Sequence, residues 1–405
     1  MRKLIALGGL GALLLAMPAA GGALAGNCRV DDQPAASLLI PFFEVDLEDP
    51  RGKTTLFSVN NGAAKPALAR VVLWTDWGVP TLAFDVYLTG YDVQTLNVRD
   101  LLRGQVPRTG PQASPQGELS EPGPGFDNCG GTVAGVVPPS AADVALLTAA
   151  HTGRPIPQSF PTQCLSEPRA DTRFATGYVT IDAVRRCSAV GVGSQRNTPA
   201  DPLYFAAGGT GVAINDNVLW GDYVFVDPAG NSSQGSAAVH LVADADLLVA
   251  GTYTFYGRYV GFDARDARVP LPSLYYSRFV HGGEFDGGTR LIVWRDTRDG
   301  SPRPLPCGAT PVWLPLGAQQ VVAFDEQENP TELAGAAAFP IATQAVTVGS
   351  PELPVDESFG WLLLDLWHAD ETHAQAWVGP VFTAEGRYSA GYPAIAADDL
   401  CNWGP

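Results

Sequence analysis

Between Ala36 and Arg103 apolar and polar residues alternate in short runs broken by turn residues. Thr54 to Asn60 sets Phe57 and Val59 on one face and Thr54, Ser58 and Asn60 on the other, then breaks at Asn61-Gly62. That is the pattern of a half-buried strand closed by a pair that tolerates positive φ. Leu68 to Trp74 is apolar on both faces apart from Arg70, as expected of a central strand covered on two sides. Phe84 to Thr89 alternates again and stops at Gly90, and Tyr91 to Val98 follows with Leu96 and Val98 as its apolar positions. No helical period of crossover length lies between these runs, so they predict an antiparallel sandwich, immunoglobulin-like or jelly-roll-like, and a mainly β chain.

The pattern lapses from Gly104 to Ala175, a stretch dense in Pro and Gly that reads as a linker or surface loop. Inside it the spacing predicts one short helix, capped by Ser140, with Asp143 in its first turn and Gly153 at its end. His151 near that end reads as a residue compatible with the helix dipole. Strand patterns resume at Gly177 to Val184, Asn217 to Asp227 with Gly221 as a bulge, Ala237 to Val242, and Leu247 to Tyr259. Thr289 to Asp296 resembles the opening stretch and Gln319 to Glu326 resembles Gln94 to Asp100; Phe359 to Trp367 and Ala374 to Val381 would close a second unit. This is the pattern either of one sandwich unit duplicated or of edge strands that look alike. The expected organisation is a leader over 1–25, a first β unit over 26–103, the insertion over 104–175 and a second β-rich unit over 176–405.

The N-terminus changes the picture. Arg2 and Lys3 precede an apolar run to Met17 and the small-residue site Ala23-Leu24-Ala25, the form of an export signal. No later run is long and apolar enough to cross a membrane, so no membrane insertion is expected after the leader is removed. Six cysteines, Cys28, Cys129, Cys164, Cys187, Cys307 and Cys401, follow the leader without any CxxC, which in an oxidising compartment predicts up to three disulfides. Position alone favours Cys28 with Cys401, Cys129 with Cys164, and Cys187 with Cys307. The formal charge of −17 disfavours nucleic acid and anionic membrane surfaces, and leaves cations as compatible small partners.

The strings LLIPFFEVDL, TTLFSVNN, YLTGYDVQTLNVRDLL, GYVTIDAV, NVLWGDYVFVDP, TRLIVWRD and VVAFDE, in this order, resemble a family of exported bacterial proteins of unknown function. The resemblance implies a secreted, periplasmic or cell-surface protein and carries no active site with it.

Searches for chemistry yield little. The turn around Ser389 has Arg387 where a nucleophile elbow needs glycine. His368 and His373 are five apart, which does not match the helical zinc motif. Glu44, Asp46 and Glu48 alternate beside a Pro/Gly turn and form the one oxygen-rich candidate for calcium, no other cofactor being indicated. Trp74 and Trp77 bracket Asp76 at a strand-to-loop junction, where flat rings could stack on a sugar. Asp365 interrupts an apolar strand and is a candidate buried carboxylate. With no catalytic motif complete, the sequence favours a structural, surface-assembly or adhesive role, with itself, other surface proteins or polysaccharide as partners. The alternative is a secreted carbohydrate-binding or carbohydrate-active protein.

Overall fold

The computed structural model describes residues 33–109, 117–123, 125–129, 139–157, 162–205, 213–245, 253–257, 265–283, 287–296, 304–309, 311, 315–333, 339–367, 374–384 and 387–397. The leader, Cys28, Cys401, His368, His373 and most of Leu247 to Tyr259 lie outside them; Tyr253 to Gly257 contains no strand. The first half of the chain forms β1 (Ser37–Asp46), β2 (Thr54–Asn61), β3 (Ala67–Trp74), β4 (Pro80–Leu88), β5 (Val93–Asn97), helices α1 (Val98–Leu102) and α2 (Ala141–Thr152), then β6 (Gln163–Cys164), β7 (Phe174–Ala183), β8 (Gly191–Val192), β9 (Leu219–Trp220), β10 (Asp222–Asp227), β11 (Ser232–Ala237) and β12 (Val239–Leu241). The second half forms β13 (Leu274–Val280), β14 (Gly288–Arg295), β15 (Leu305–Pro306), β16 (Val321–Phe324), β17 (Pro330–Glu332), β18 (Thr343–Thr347), β19 (Phe359–Asp365), β20 (Ala376–Ala384), β21 (Tyr388–Gly391) and β22 (Ile395–Ala396).

Two antiparallel sandwiches result. In the first, the sheet β12-β1-β7-β3-β4-β8 packs on β11-β10-β2-β5 across a core that includes Phe43, Val71, Val179, Phe57 and Val59. In the second, β17-β16-β19-β13-β22 packs on β18-β14-β20-β21 across Phe279, Leu362, Leu291 and Val293. β7, β10 and β12 fall after residue 173, yet they pair with β1, β2 and β3, and β11 pairs with β10, so the sheets divide between Leu241 and Leu274 rather than after the insertion. Strand β3 is central, as its two-faced apolarity predicts; Arg70 is tolerated there because its Nε and Nη2 both donate to the Asp85 carboxylate of β4.

The two sandwiches are one unit used twice. The order β12-β1-β7-β3-β4 in the first repeats as β22-β13-β19-β16-β17 in the second, and β11-β10-β2-β5 repeats as β21-β20-β14-β18. The registers agree at the matched positions, although β1–β7 and β3–β4 each carry a bulge that β13–β19 and β16–β17 lack. Phe43 lies opposite Gly177 as Phe279 lies opposite Gly360. Trp74 lies opposite Tyr178 and Pro80, as Phe324 lies opposite Trp361 and Pro330. The Thr55 hydroxyl accepts from the Glu44 amide at 3.2 Å and donates to its carbonyl at 3.4 Å. Thr289 does the same with Val280, at 2.8 and 2.9 Å. In the β3–β4 turn Thr75 Oγ1 accepts from the amides of Trp77 and Val79, and in the β16–β17 turn Asp325 Oδ1 accepts from those of Gln327 and Asn329. Gly78 and Glu328 take the same left-handed position, at φ 73° and 65°. The traces left in sequence are VVLWTDWGVPT against VVAFDEQENPT and GYVTID against GWLLLD, so VVAF is the partner of β3 and not of the Gln94 stretch.

Helix α2 forms as its caps predict: Ser140 Oγ accepts from the Asp143 amide, Asp143 returns the bond to the Ser140 amide, and Gly153 closes the helix at φ 69°. The disulfides differ from the positional expectation. Cys129 pairs with Cys187 and Cys164 with Cys307, so neither Cys129–Cys164 nor Cys187–Cys307 forms. The reason is the sheet pairing, which brings β6 beside β15 and the Asp127 loop beside Arg185. Cys164–Cys307 thereby ties the insertion to the second sandwich.

Candidate functional site

The outer face of the first large sheet is covered by the second sandwich. Trp74 and Tyr178 stack at 5.6 Å, Tyr178 meets Trp294 edge-on at 6.0 Å, and Ile292, Trp377 and Phe255 complete the cluster. Neither Trp74 nor Trp77 presents a ring to solvent, at 0% and 2% exposure. The tryptophans that suggested a sugar platform are core residues here, because burying an aromatic ring removes more apolar area than any aliphatic side chain does. Trp74 satisfies its indole N–H on Thr180, and Trp77 on Glu167.

Beneath that interface lie two enclosed polar clusters. Asp182 of β7 receives the hydroxyls of Ser37, Tyr204 and Tyr256, the latter two at 3.0 and 2.9 Å, and stands 3.7 Å from Arg268, which in turn bonds Asp266 at 2.9 Å. Burial pushes the Asp182 carboxyl up, while Arg268 and the hydroxyl donors oppose it. Burial would lower the Arg268 pKa, but Asp266 and Asp182 outweigh it and hold the guanidinium charged. Asp76, in the β3–β4 turn, accepts from Arg169 at 2.5 Å, from the Glu167 amide at 3.1 Å and from Thr176 at 3.3 Å. Its carbonyl accepts from the amides of Ala342 and Thr343 at the start of β18, which joins the two sandwiches. Burial raises the Asp76 pKa to about 6 against the pull of Arg169.

His151 stands in the last turn of α2, as expected, but is not free to serve the helix dipole as a charged end residue. It is fully buried, with Nδ1 2.9 Å from the Thr176 carbonyl and Nε2 2.7 Å from the Thr81 hydroxyl. A carbonyl only accepts, so we assign the proton to Nδ1; the single Thr81 hydroxyl proton is then shared between Nε2 and the Leu73 carbonyl, 3.1 Å away. Burial takes the His151 pKa down to about 4, and the ring is neutral near pH 7. A hydroxyl against a histidine resembles a nucleophile and its base, but Thr81 is 2% exposed and the pair is sealed within the fold.

Open to solvent is a cleft of about 270 Å³ where the two sandwiches meet. A row of alternating charges crosses it: Arg290 lies 3.0 Å from Glu44, Lys53 lies 3.6 Å from Glu44 and 3.3 Å from Asp227. Burial would raise the Glu44 pKa, but Arg290 and Lys53 outweigh it and hold the carboxyl below its usual range. Arg290 also rides over the Phe42 ring at 5.4 Å, and Phe42 meets Phe225 edge-on at 6.1 Å.

The three carboxylates considered for calcium are turned apart. Glu44 serves Arg290 and Lys53; Asp46 is buried, capping its own loop through the amides of Glu48 and Asp49; Glu48 is exposed and lies 4.0 Å from Arg154. Among the described residues no three His, Cys, Asp or Glu side chains converge to hold a metal ion. Asp365 is half-buried, accepting from the Trp367 amide at 3.1 Å. The sequence reading missed Asp76, Arg169, Asp182 and Arg268. Only Asp182, a charge inside the apolar run GYVTIDAV, gave a local signal. Comparison with known proteins returns no matching family, no matching curated protein and no matching solved structure.

Proposed function

We propose that this is an exported, extracytoplasmic protein with a structural, surface-assembly or adhesive role. One observation carries the reading: the sheet face that the first sandwich buries against the second has, among the described residues, no such cover on the second itself. Phe324 and Trp361, the counterparts of Trp74 and Tyr178, stack at 4.0 Å but are only half-buried. Around them Tyr276 is 41%, Phe359 36% and Ile395 68% exposed. An apolar patch of this kind on a secreted protein commonly marks a contact surface, and a fold that already packs sandwich on sandwich has a suitable partner in another sandwich. The export signal and the two disulfides among the described residues support a destination outside the cytoplasm. Fractionation of the native host tests the reading. Recovery in sheared surface material or periplasm as assemblies larger than the chain is expected; recovery as a cytoplasmic monomer would contradict it.

A second reading, carbohydrate binding, is favoured by the cleft between the sandwiches rather than by the tryptophans.

A further inference from the structure

The cleft at the junction of the sandwiches has walls from both. β1, β10 and β11 contribute Phe42, Phe225 and Gln234, with Lys53 just before β2, while β14 and β20 contribute Arg290 and Val381. At about 270 Å³ it lies just below the range of roughly 300–1,000 Å³ for drug-sized ligands, which restricts an occupant to a small molecule.

We propose that this cleft binds a neutral, polyhydroxylated ligand of about one sugar ring. Three features select that chemistry. First, the charges balance. Arg290 and Lys53 are matched by Glu44 and Asp227 in an alternating row, so an ionic ligand would have to break a pair to gain one. Second, Phe225 and Val381, both half-buried, give the cleft an apolar wall of the kind that the C–H face of a sugar ring covers. Third, the rim carries hydroxyls from Ser232, Thr347 and Thr383 beside the Gln234 amide. The Gln234 carbonyl oxygen has no protein donor but is shielded from solvent, so a ligand O–H reaches it only with a rotation of the Gln234 side chain. Gln234 reaches this position because Gly391 has no side chain. A Cβ there would collide with its amide, which makes the absence of a side chain at Gly391 part of the site.

The site goes beyond the assembly reading and does not depend on it, because it lies between the sandwiches and shares no residue with the Tyr276 face. The test is saturation-transfer NMR on the full chain. Methyl β-glucoside, methyl β-xyloside and N-acetylglucosamine are the neutral probes, and glucuronate and glucosamine the charged ones. Neutral sugars are expected to give signal, with charged analogues weaker by about fivefold. Val381→Trp, which fills the cleft, abolishes the signal, and Gln234→Ala weakens affinity by about tenfold. Light scattering on the same variants keeps the two claims apart, since each should self-associate as the wild type does. Absence of signal from all three neutral sugars with folded wild type would overturn the proposal. So would signal undiminished in Val381→Trp and Gln234→Ala.

Discussion

Asp182 and Asp365 occupy the same position in the two repeats, one residue before the end of the β7 strand and at the end of its counterpart β19, yet they live in opposite environments. Asp182 is enclosed by Ser37, Tyr204, Tyr256 and Arg268; Asp365 is half-exposed and turned to the Trp367 amide. The difference follows from which repeat is covered by the other. Asp182→Asn would set an amide against hydroxyls and a guanidinium that all donate, and should cost about 3–5 kcal/mol. Asp365→Asn should cost about 0.5 kcal/mol, as a surface change does. Urea midpoints of the two variants check this, and equal losses would contradict the assignment.

The duplication predicts matched sensitivity at two glycines. A Cβ at Gly177 would strike the Trp74 carbonyl and stand 2.9 Å from the Phe43 ring; at Gly360 it would strike the Phe324 carbonyl and stand 2.9 Å from the Phe279 ring. Neighbouring strand and ring cannot both retreat in a packed sandwich. Gly177→Ala and Gly360→Ala should each destabilise by about 2–4 kcal/mol, well above the ordinary effect of a strand substitution. Thermal denaturation of both variants measures it.

Proton linkage at the Asp76–His151 pair should be nearly silent in the wild type and visible in either single variant. Asp76 rises from 3.8 unfolded to about 6 folded, so between those values the native chain holds a proton that the unfolded chain has lost. That contribution to stability diminishes as pH rises through the window. His151 falls from 6.5 unfolded to about 4 folded, so between those values the unfolded chain holds the extra proton, and stability increases as pH rises. On folding near pH 5 the proton in effect moves from His151 to Asp76, and the slopes cancel. Asp76→Asn should leave stability rising by about 3 kcal/mol from pH 4 to 6.5, and His151→Gln should leave it falling by about 3 kcal/mol from pH 4 to 6. Urea denaturation across this range reads both, and slopes of the same sign would contradict the linkage.

Local features were legible in sequence because their causes are local. The alternation of Thr54 to Asn60, the two-faced apolarity of Leu68 to Trp74, the Ser140 cap and Gly153 all act within a few residues, and each element stands where it was expected. The cysteine pairing was not legible, since Cys164 and Cys307 are separated by 143 residues and meet only through sheet pairing. The roles of Trp74, Trp77 and His151 were hidden for the same reason. Each is decided by what another part of the chain lays over it. The repeat was half-visible: GYVTID and GWLLLD stand in the sequence, but which strands correspond is fixed only by register.

The measurement that bears most directly on the assembly reading is sedimentation velocity of the full chain over a hundredfold concentration range, beside a variant carrying Tyr276→Ser and Ile395→Ser. Both residues lie on the exposed face and neither enters a core, so the variant should fold as the wild type does. The account predicts association of the wild type that increases with concentration and is lost in the variant. A wild type that stays monomeric throughout, or a variant that assembles equally well, would contradict it.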